Sequence, residues 1–187
     1  MDLTDAIRGR RSVRNFTTEP VPDDVVNHIL DVMNYSPNAG NRNSTRIVVV
    51  KDRDALDYIG KTHTCILQRF NRGIVEPPDD DEIQAASNAF HNALTVLFLF
   101  GPKKFYFASA DAYILAQNIA LTAYEKGVST CIVGEVLNSF DTEKGRELQR
   151  RMNIPDIFAP QVFVTMGYCE GEYPKRPKRH YTEPICF

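Results

Sequence analysis

The sequence lacks both tryptophan and long hydrophobic runs among its 187 residues. No apolar run approaches the about 20 residues that a membrane-spanning helix needs. The longest run, residues 93–100, has the length of a strand and is interrupted by Thr95. The start of the chain carries Asp2 and Asp5 and has no apolar segment typical of a signal peptide. We therefore expect a cytoplasmic protein that does not bind membranes.

Cysteine and histidine are sparse and scattered. The cysteines form no C-x-x-C pair and lie far apart in the chain, at Cys65, Cys131, Cys169 and Cys186. That spacing suits neither a zinc site nor a dense disulfide framework. The four histidines show no H-x-x-x-H or H-E-x-x-H arrangement. We expect no metal.

Charge and glycine patterns exclude further classes. With 22 basic and 24 acidic residues the net charge is -2, which disfavours a general nucleic-acid binder. No G-x-G-x-x-G follows a predicted strand, and no G-x-x-x-x-G-K-[ST] occurs, so dinucleotide-binding Rossmann and P-loop folds are disfavoured. The length suits one domain covering residues 1–187, and no internal repeat is visible.

Apolar periodicity predicts a mixture of helices and strands. We expect helices near residues 3–9, 22–35, 54–60 (ended by Gly60), 82–91 and 111–126 (ended by Gly127), and a further helix capped by Asp141. We expect strands, with the first two buried, at residues 46–51, 95–100, 128–133 and 159–166. Because these elements do not alternate strictly, they favour an α+β fold, a mostly antiparallel sheet flanked by helices.

A cluster of cations follows the first helix, at Arg10-Arg11-Ser12-Val13-Arg14. Guanidinium groups bind phosphate bidentately, and a serine hydroxyl adds a short donor. The cluster therefore suits an anionic group. A solvated basic turn is the alternative reading of the same residues.

No nucleophile or general base emerges from the pattern. Neither a Ser-His-Asp nor a Cys-His arrangement can be assembled, because each histidine lies in a different segment. Cys131 lies inside a predicted strand, which indicates a small residue of the core. His91 is predicted to lie at the end of a helix. If the protein is an enzyme, a bound cofactor is expected to carry its chemistry.

Five segments, taken in order, resemble the flavin-binding nitroreductase family. They are residues 10–16, the loop Ser36-Pro37-Asn38-Ala39-Gly40-Asn41, the helix 111–127 with its Gln117-Asn118 pair, the strand end 130–135, and the basic tail 174–181. The resemblance implies a nitroreductase-like fold, an intertwined homodimer, and FMN bound at the subunit interface.

The resemblance also assigns residues to the cofactor. The first cluster and the basic tail would hold the phosphate, and the loop would reach the flavin of the neighbouring subunit. Arg14 or Asn43 would bind the pyrimidine edge of the flavin. The strand end would place a backbone N–H at flavin N5. The residues so implied are Arg10, Arg11, Ser12, Arg14, Pro37, Asn38, Ala39, Asn41, Asn43, Val133, Gly134, Glu135, Arg176, Lys178 and Arg179.

The activity implied is ping-pong transfer of hydride from NAD(P)H to a small acceptor such as a nitroaromatic compound or a quinone. A dehalogenase or dehydrogenase of the same fold, and a flavin-binding protein without turnover, stay open. The tail and Phe105-Tyr106-Phe107 leave a single-stranded nucleic-acid binder as a third reading. Two departures concern the pocket: Asn43-Ser44-Thr45 stands where the family has Gln-Pro-Trp, and only residues 103–107 remain of a longer insertion.

Overall fold

A four-stranded antiparallel sheet forms the centre of the protein. The computed structural model describes residues 1–136, 138–178 and 183–186. The sheet order is β1-β2-β4-β3, with β1 at Arg46–Val50, β2 at Thr95–Pro102, β3 at Ser129–Val133 and β4 at Phe158–Gly167. The two central strands are almost wholly buried, as their apolar composition requires. The predicted α+β class with an antiparallel sheet is confirmed.

Helices cover both faces of this sheet. They are α1 (Leu3–Gly9), α2 (Asp23–Met33), α3 (Arg53–Phe70), α4 (Asp80–Ala85), α5 (Ala108–Glu125) and α6 (Glu143–Arg151). The side chains of Asp2, Asp52, Asp79 and Thr142 each accept a backbone N–H at the start of a helix. These polar residues satisfy donors that a helix leaves unpaired at its first turn.

The pleat of β2 divides the core into two layers. Leu97 and Leu99 pack with α2 and α5, whereas Phe98 and Phe100 face the opposite side with α3, α4 and α6. Successive side chains of a strand point to opposite faces, so one apolar strand supplies both cores. On the aromatic side, the rings of Phe98 and Phe163 lie 4.5 Å apart between centroids.

Helix α5 lies close against the sheet because its buried face is built from small residues. The fully buried members of that face are Ala112, Ala116, Ile119, Ala120 and Ala123. The helix ends before Gly127, which adopts a φ of 75° that glycine allows without a steric cost. The predicted helix and its stop are confirmed, although α5 begins three residues earlier, at Ala108.

The prediction that Gly60 ends a helix is wrong. Helix α3 continues to Phe70, and Gly60 lies inside it. A Cβ at Gly60 would lie 2.0 Å from the side-chain oxygen of Asn88. Asn88 in turn donates to the backbone oxygen of Leu56 at 3.3 Å. The glycine is therefore needed for close approach of a later segment, and the helix runs on past it.

Three further predictions are corrected. The helix expected at 82–91 ends at Ala85, and His91 is in the left-handed region with a φ of 53°. The last helix is capped by Thr142, since its hydroxyl accepts the N–H of Gly145 at 3.0 Å. Strand β1, expected to be buried, is exposed at Arg46, half-exposed as far as Val49 and buried at Val50. It lies at the edge of the sheet, and within the described ranges it pairs only with β2.

Candidate functional site

The Arg10–Arg14 segment runs beside β3. Ser12 pairs with Thr130, and the backbone N–H of Val13 donates to the Thr130 oxygen at 3.0 Å. Val13 is buried in the core. Because neighbours in an extended segment face opposite ways, Ser12 and Arg14 face away from that core. The polar members of the segment are thereby displayed along the strand that leads to Gly134.

Arg10 carries the clearest sign of a missing partner. Its Nη1 is buried and has no hydrogen-bond partner within the described part of the chain. A buried guanidinium nitrogen that stays unpaired is costly, because it has lost water without gaining another acceptor. A phosphate oxygen would satisfy it. The cluster therefore fits an anionic group better than it fits a solvated turn.

Arg11 is more engaged than its neighbour, although its Nε is also buried without a hydrogen-bond partner among the described residues. Its Nη1 donates to the backbone oxygens of Arg8 at 2.8 Å and Arg10 at 2.7 Å. The backbone N–H of Arg11 donates to the Tyr173 hydroxyl at 2.9 Å. This side chain thus closes the end of α1, and Tyr173 brings the C-terminal segment alongside the cation cluster.

Arg14 lies near two titratable groups. Burial raises the pKa of the Cys131 thiol, while Arg14, a hydrogen bond with Ser12 and the charge of Arg10 act in the opposite direction. Burial, together with the charge of Arg14, lowers the pKa of His91. The sequence pattern placed His91 at a helix end and did not connect it with this cluster. The His91–Asn92 pair could have indicated a turn in place of a helix, since both residue types tolerate the left-handed region of backbone conformation.

The predicted flavin loop is anchored to α5 at two points. Asn118 donates from Nδ2 to the Ser36 hydroxyl at 2.7 Å, and the N–H of Ala39 donates to Asp111 Oδ1 at 2.9 Å. Asp111 is only 2% exposed. Its Oδ2 is buried without a hydrogen-bond partner among the residues described. Neither Asp111 nor its link to Ala39 was visible in the sequence pattern.

Asparagine side chains fix the shape of the same loop. Asn38 Oδ1 accepts the N–H of Asn43 at 2.9 Å, and Asn38 Nδ2 donates to Asn43 Oδ1, also at 2.9 Å. Gly40, Asn41 and Asn43 all have positive φ, and Pro37 is exposed. Asn43 is therefore committed to the loop in this structure. A cleft of about 210 Å³ opens beside both asparagines.

The end of β3 meets the first turns of α5. After Val133 the strand gives way to Gly134, whose Cβ, if present, would lie 2.5 Å from the Tyr113 hydroxyl. Glu135 follows with a φ of 57°, which is uncommon for a residue with a side chain. Helix α5 thus contacts Gly134 through Tyr113 and the loop through Asp111, so it positions two of the predicted segments.

The predicted tail residues are only partly placed. Arg176 and Lys178 are exposed and lie outside regular structure, shortly after Tyr173. Arg179 lies outside the described residues. Within the described ranges, no group of three or more metal-ligating side chains occurs, and no helix is long and apolar enough to cross a membrane.

This antiparallel α+β architecture, with α5 packed between the loop and the end of β3, defines a fold class that has known members. The model of the Nitroreductase family matches residues 7–168. That match covers most of the chain. The protein belongs to the Nitroreductase family, as the sequence resemblance implied.

Relatives extend the match over nearly full lengths. A protein of Streptomyces coelicolor, provisionally named NADH dehydrogenase/NAD(P)H nitroreductase, is 31% identical over 189 residues, covering 95% of this chain and 91% of its own. An iodotyrosine deiodinase of Thermotoga neapolitana is 21% identical, covering 94% and 93%. A Bacteroides fragilis nitroreductase with bound FMN superposes with a TM-score of 0.82 at 18% identity, covering 100% of this chain and 98% of that one.

Proposed function

We propose that the protein binds FMN and, as a homodimer, transfers hydride from NAD(P)H to a small acceptor such as a nitroaromatic compound or a quinone. The observation that carries the proposal is the buried Nη1 of Arg10, which has no hydrogen-bond partner among the described residues. Ser12, two residues later, pairs with the strand that leads to Gly134. Family membership and the FMN named in solved relatives support the choice of anion.

The residues that would hold FMN follow from these contacts. Arg10, Ser12 and Arg14 would bind the phosphate end, since their polar groups lie together along β3. Arg11 would contribute mainly by closing the end of α1, because its Nη1 is engaged with backbone oxygens. The remaining candidates are Arg176, Lys178 and Arg179 from the tail, Val133, Gly134 and Glu135 from the strand end, Asn43 at the pyrimidine edge, and Pro37, Asn38, Ala39 and Asn41 from the partner's loop.

When bound, FMN supplies the redox chemistry, taking hydride from NAD(P)H and passing the electrons to the acceptor. The side chains of the protein bind and orient. The guanidinium of Arg14 would stabilise negative charge on the cofactor, since opposite charges at short range favour the ionised form. Gly134 admits no side chain, because the space where a Cβ would lie is taken by the Tyr113 hydroxyl.

Two features support the proposal of a homodimer: exposed apolar side chains and the anchored loop. Leu3 and Ile7 on α1 and Ile114 on α5 are exposed, although their types favour burial. A second subunit would cover such surface. The loop is held firmly by α5, so it can present Asn38 and Asn41 to a neighbouring subunit in a fixed shape.

A dehalogenase of the same fold is the second candidate. The iodotyrosine deiodinase of Thermotoga neapolitana covers nearly the whole chain, and a solved deiodinase bound to FMN and 3-iodo-L-tyrosine superposes with a TM-score of 0.74. Both candidates share the flavin site and differ in the acceptor.

Anaerobic spectroscopy tests the proposal. The FMN-loaded protein is expected to lose its flavin absorbance on addition of NADH or NADPH, and to regain it with a nitroaromatic compound or a quinone. Recovery only with a halogenated phenol would favour the dehalogenase. Stable flavin binding without bleaching would contradict an NAD(P)H-dependent enzyme, and failure to bind FMN at all would overturn the proposal.

A further inference from the structure

An apolar cavity of about 310 Å³ lies at the C-terminal end of α3. Its walls come from the last turn of α3, from the loop at 74–77, and from the segment that follows β3. We call it the Phe70 cavity, after the aromatic side chain in its wall. Its volume is at the lower end of the range found for small-molecule sites, which is about 300–1,000 Å³.

The apolar side chains of the Phe70 cavity are unusually accessible. Phe70 is 71% exposed and Val75 is 88% exposed, while Ile74 adds a third apolar side chain. Large apolar groups that stand together on a surface commonly mark a binding site. The exposed face of the Phe70 ring is available for stacking on a flat ligand or for contact with a cation.

The polar part of the lining is negatively charged. Glu76, Glu135 and Asp141 line the cavity, and none of their carboxylates has an ion pair in the described part of the chain. The cation in the lining, Arg69, donates from Nη1 to both oxygens of Glu82 at 2.6 Å. Arg69 is thus paired, and Arg146 donates to the backbone oxygen of Asp141 from outside the lining. Within the lining the three carboxylates outnumber the one paired cation, so the field in the cavity favours positive charge.

The position of Glu135 links this cavity to the proposed flavin site. Glu135 follows Gly134 directly, and its left-handed backbone, with a φ of 57°, turns the chain at the end of β3. Its side chain is exposed and lines the Phe70 cavity. A molecule seated in the cavity would therefore lie beside the residues that we assign to the cofactor.

We propose that the Phe70 cavity binds the electron acceptor and selects flat apolar molecules that carry a positive charge. The proposal rests on the proposed function for its link to turnover, and on charge complementarity for its selectivity. The apolar wall would hold the ring of the acceptor, and the Phe70 ring and the three carboxylates would attract its cationic group. An acceptor of the same shape with an anionic group would be repelled by the same carboxylates.

A direct binding experiment tests the selectivity without turnover. Benzyltrimethylammonium and benzenesulfonate are titrated into the FMN-loaded protein and followed by calorimetry. We expect the cation to bind more tightly by about tenfold or more. In the E76Q/D141N double variant, whose substitutions lie at exposed positions, this preference should fall towards unity. The matched control E19Q changes an exposed carboxylate outside the cavity and should keep the preference.

Equal affinities for the two probes, tighter binding of the anion, or an unchanged preference in E76Q/D141N would each overturn the proposal. Steady-state reduction of 4-nitrobenzyl-trimethylammonium and 4-nitrobenzenesulfonate is then compared, and the cation should have the lower KM. If NAD(P)H fails to reduce the bound FMN, the proposed function fails, and the calorimetric result alone decides whether the cavity selects cations.

Discussion

The buried carboxylate of Asp111 accepts the backbone N–H of Ala39 at 2.9 Å, and this bond joins the first turn of α5 to a loop 72 residues away in sequence. The second anchor, between Asn118 and Ser36, lies on the same helix. Since Asn41 and Asn43 have positive φ, which costs free energy in residues that carry a side chain, the loop needs such support to keep one shape. Helix α5 therefore sets the position of the proposed flavin loop.

Replacing Asp111 should loosen this loop. D111A leaves the Ala39 N–H without its acceptor, and the lost bond should lower the free energy of unfolding by about 1–3 kcal/mol. FMN affinity should fall, and amide exchange at Ala39 should speed up. D111N keeps an acceptor oxygen and should restore most of both properties. The control S109A alters an exposed residue of the same helix and should leave FMN affinity and Ala39 exchange unchanged.

A substitution at Gly134 tests the contact with Tyr113. In G134A the new Cβ would meet the Tyr113 hydroxyl at 2.5 Å, so the end of β3 should shift and FMN should bind more weakly. In the Y113F background the nearest ring atom would lie 3.7 Å away, which is ordinary contact. Urea denaturation of the four proteins should give a coupling free energy of about 1 kcal/mol. Additive effects would show that Tyr113 does not limit this position.

Substitutions of two arginines distinguish a specific phosphate contact from a general effect of surface charge. Arg10 has a buried, unpartnered nitrogen in the described structure, whereas Arg42 is exposed and stacks over Phe105 at 4.8 Å. R10A should weaken FMN binding by about tenfold or more, since it removes a charge-assisted contact. R42A should change it little. Flavin fluorescence titrations measure both, and equal losses would contradict the phosphate site at Arg10.

His63 should make stability depend on pH. It is 4% exposed, its Nδ1 lies 3.2 Å from the Ser139 hydroxyl, and burial lowers its pKa to about 4. In the unfolded chain His63 takes up a proton near pH 6.5. The stabilising contribution of the neutral, buried His63 is therefore complete above that pH. It should be lost as pH falls towards 4, by up to about 1.4 kcal/mol for each pH unit.

Urea denaturation at several pH values checks this. Carboxylates and His91 also titrate in the acidic range, so the H63Q variant provides the comparison. The difference in unfolding free energy between the wild type and H63Q should shrink as pH falls from 6.5 to 4. A difference that stays constant over this range would show that burial does not lower the pKa of His63 in the folded protein.

Much of the fold was predictable because its strongest patterns are local. The alanine face of α5, its stop at Gly127 and the apolar run of β2 depend on neighbouring residues alone, and they were predicted within a few positions. Gly60 was wrongly predicted to end a helix. A glycine is needed there because Asn88, from a distant part of the chain, occupies the space of a Cβ. The exposure of β1 was missed because strand order is a tertiary property.

In the candidate site, too, residue types were predictable from the sequence and tertiary contacts were not. Arg10, Ser12 and Arg14 were singled out by their residue types, and the structure brings them together beside β3. The fixed roles of Arg11 and Asn43 in the backbone and the loop were not predictable, since both use hydrogen bonds that depend on local geometry. Asp111, Tyr113 and His91 were missed because each meets its partner only after folding.

A crystal structure of the FMN-saturated protein measures the cofactor site most directly. We expect one FMN for each subunit, with its phosphate in hydrogen-bond contact with Arg10 and Ser12, its ring beside Gly134, and the Pro37–Asn41 loop of a partner subunit against it. A monomer, or an FMN phosphate bound away from Arg10 with no ring beside Gly134, would contradict the proposed site.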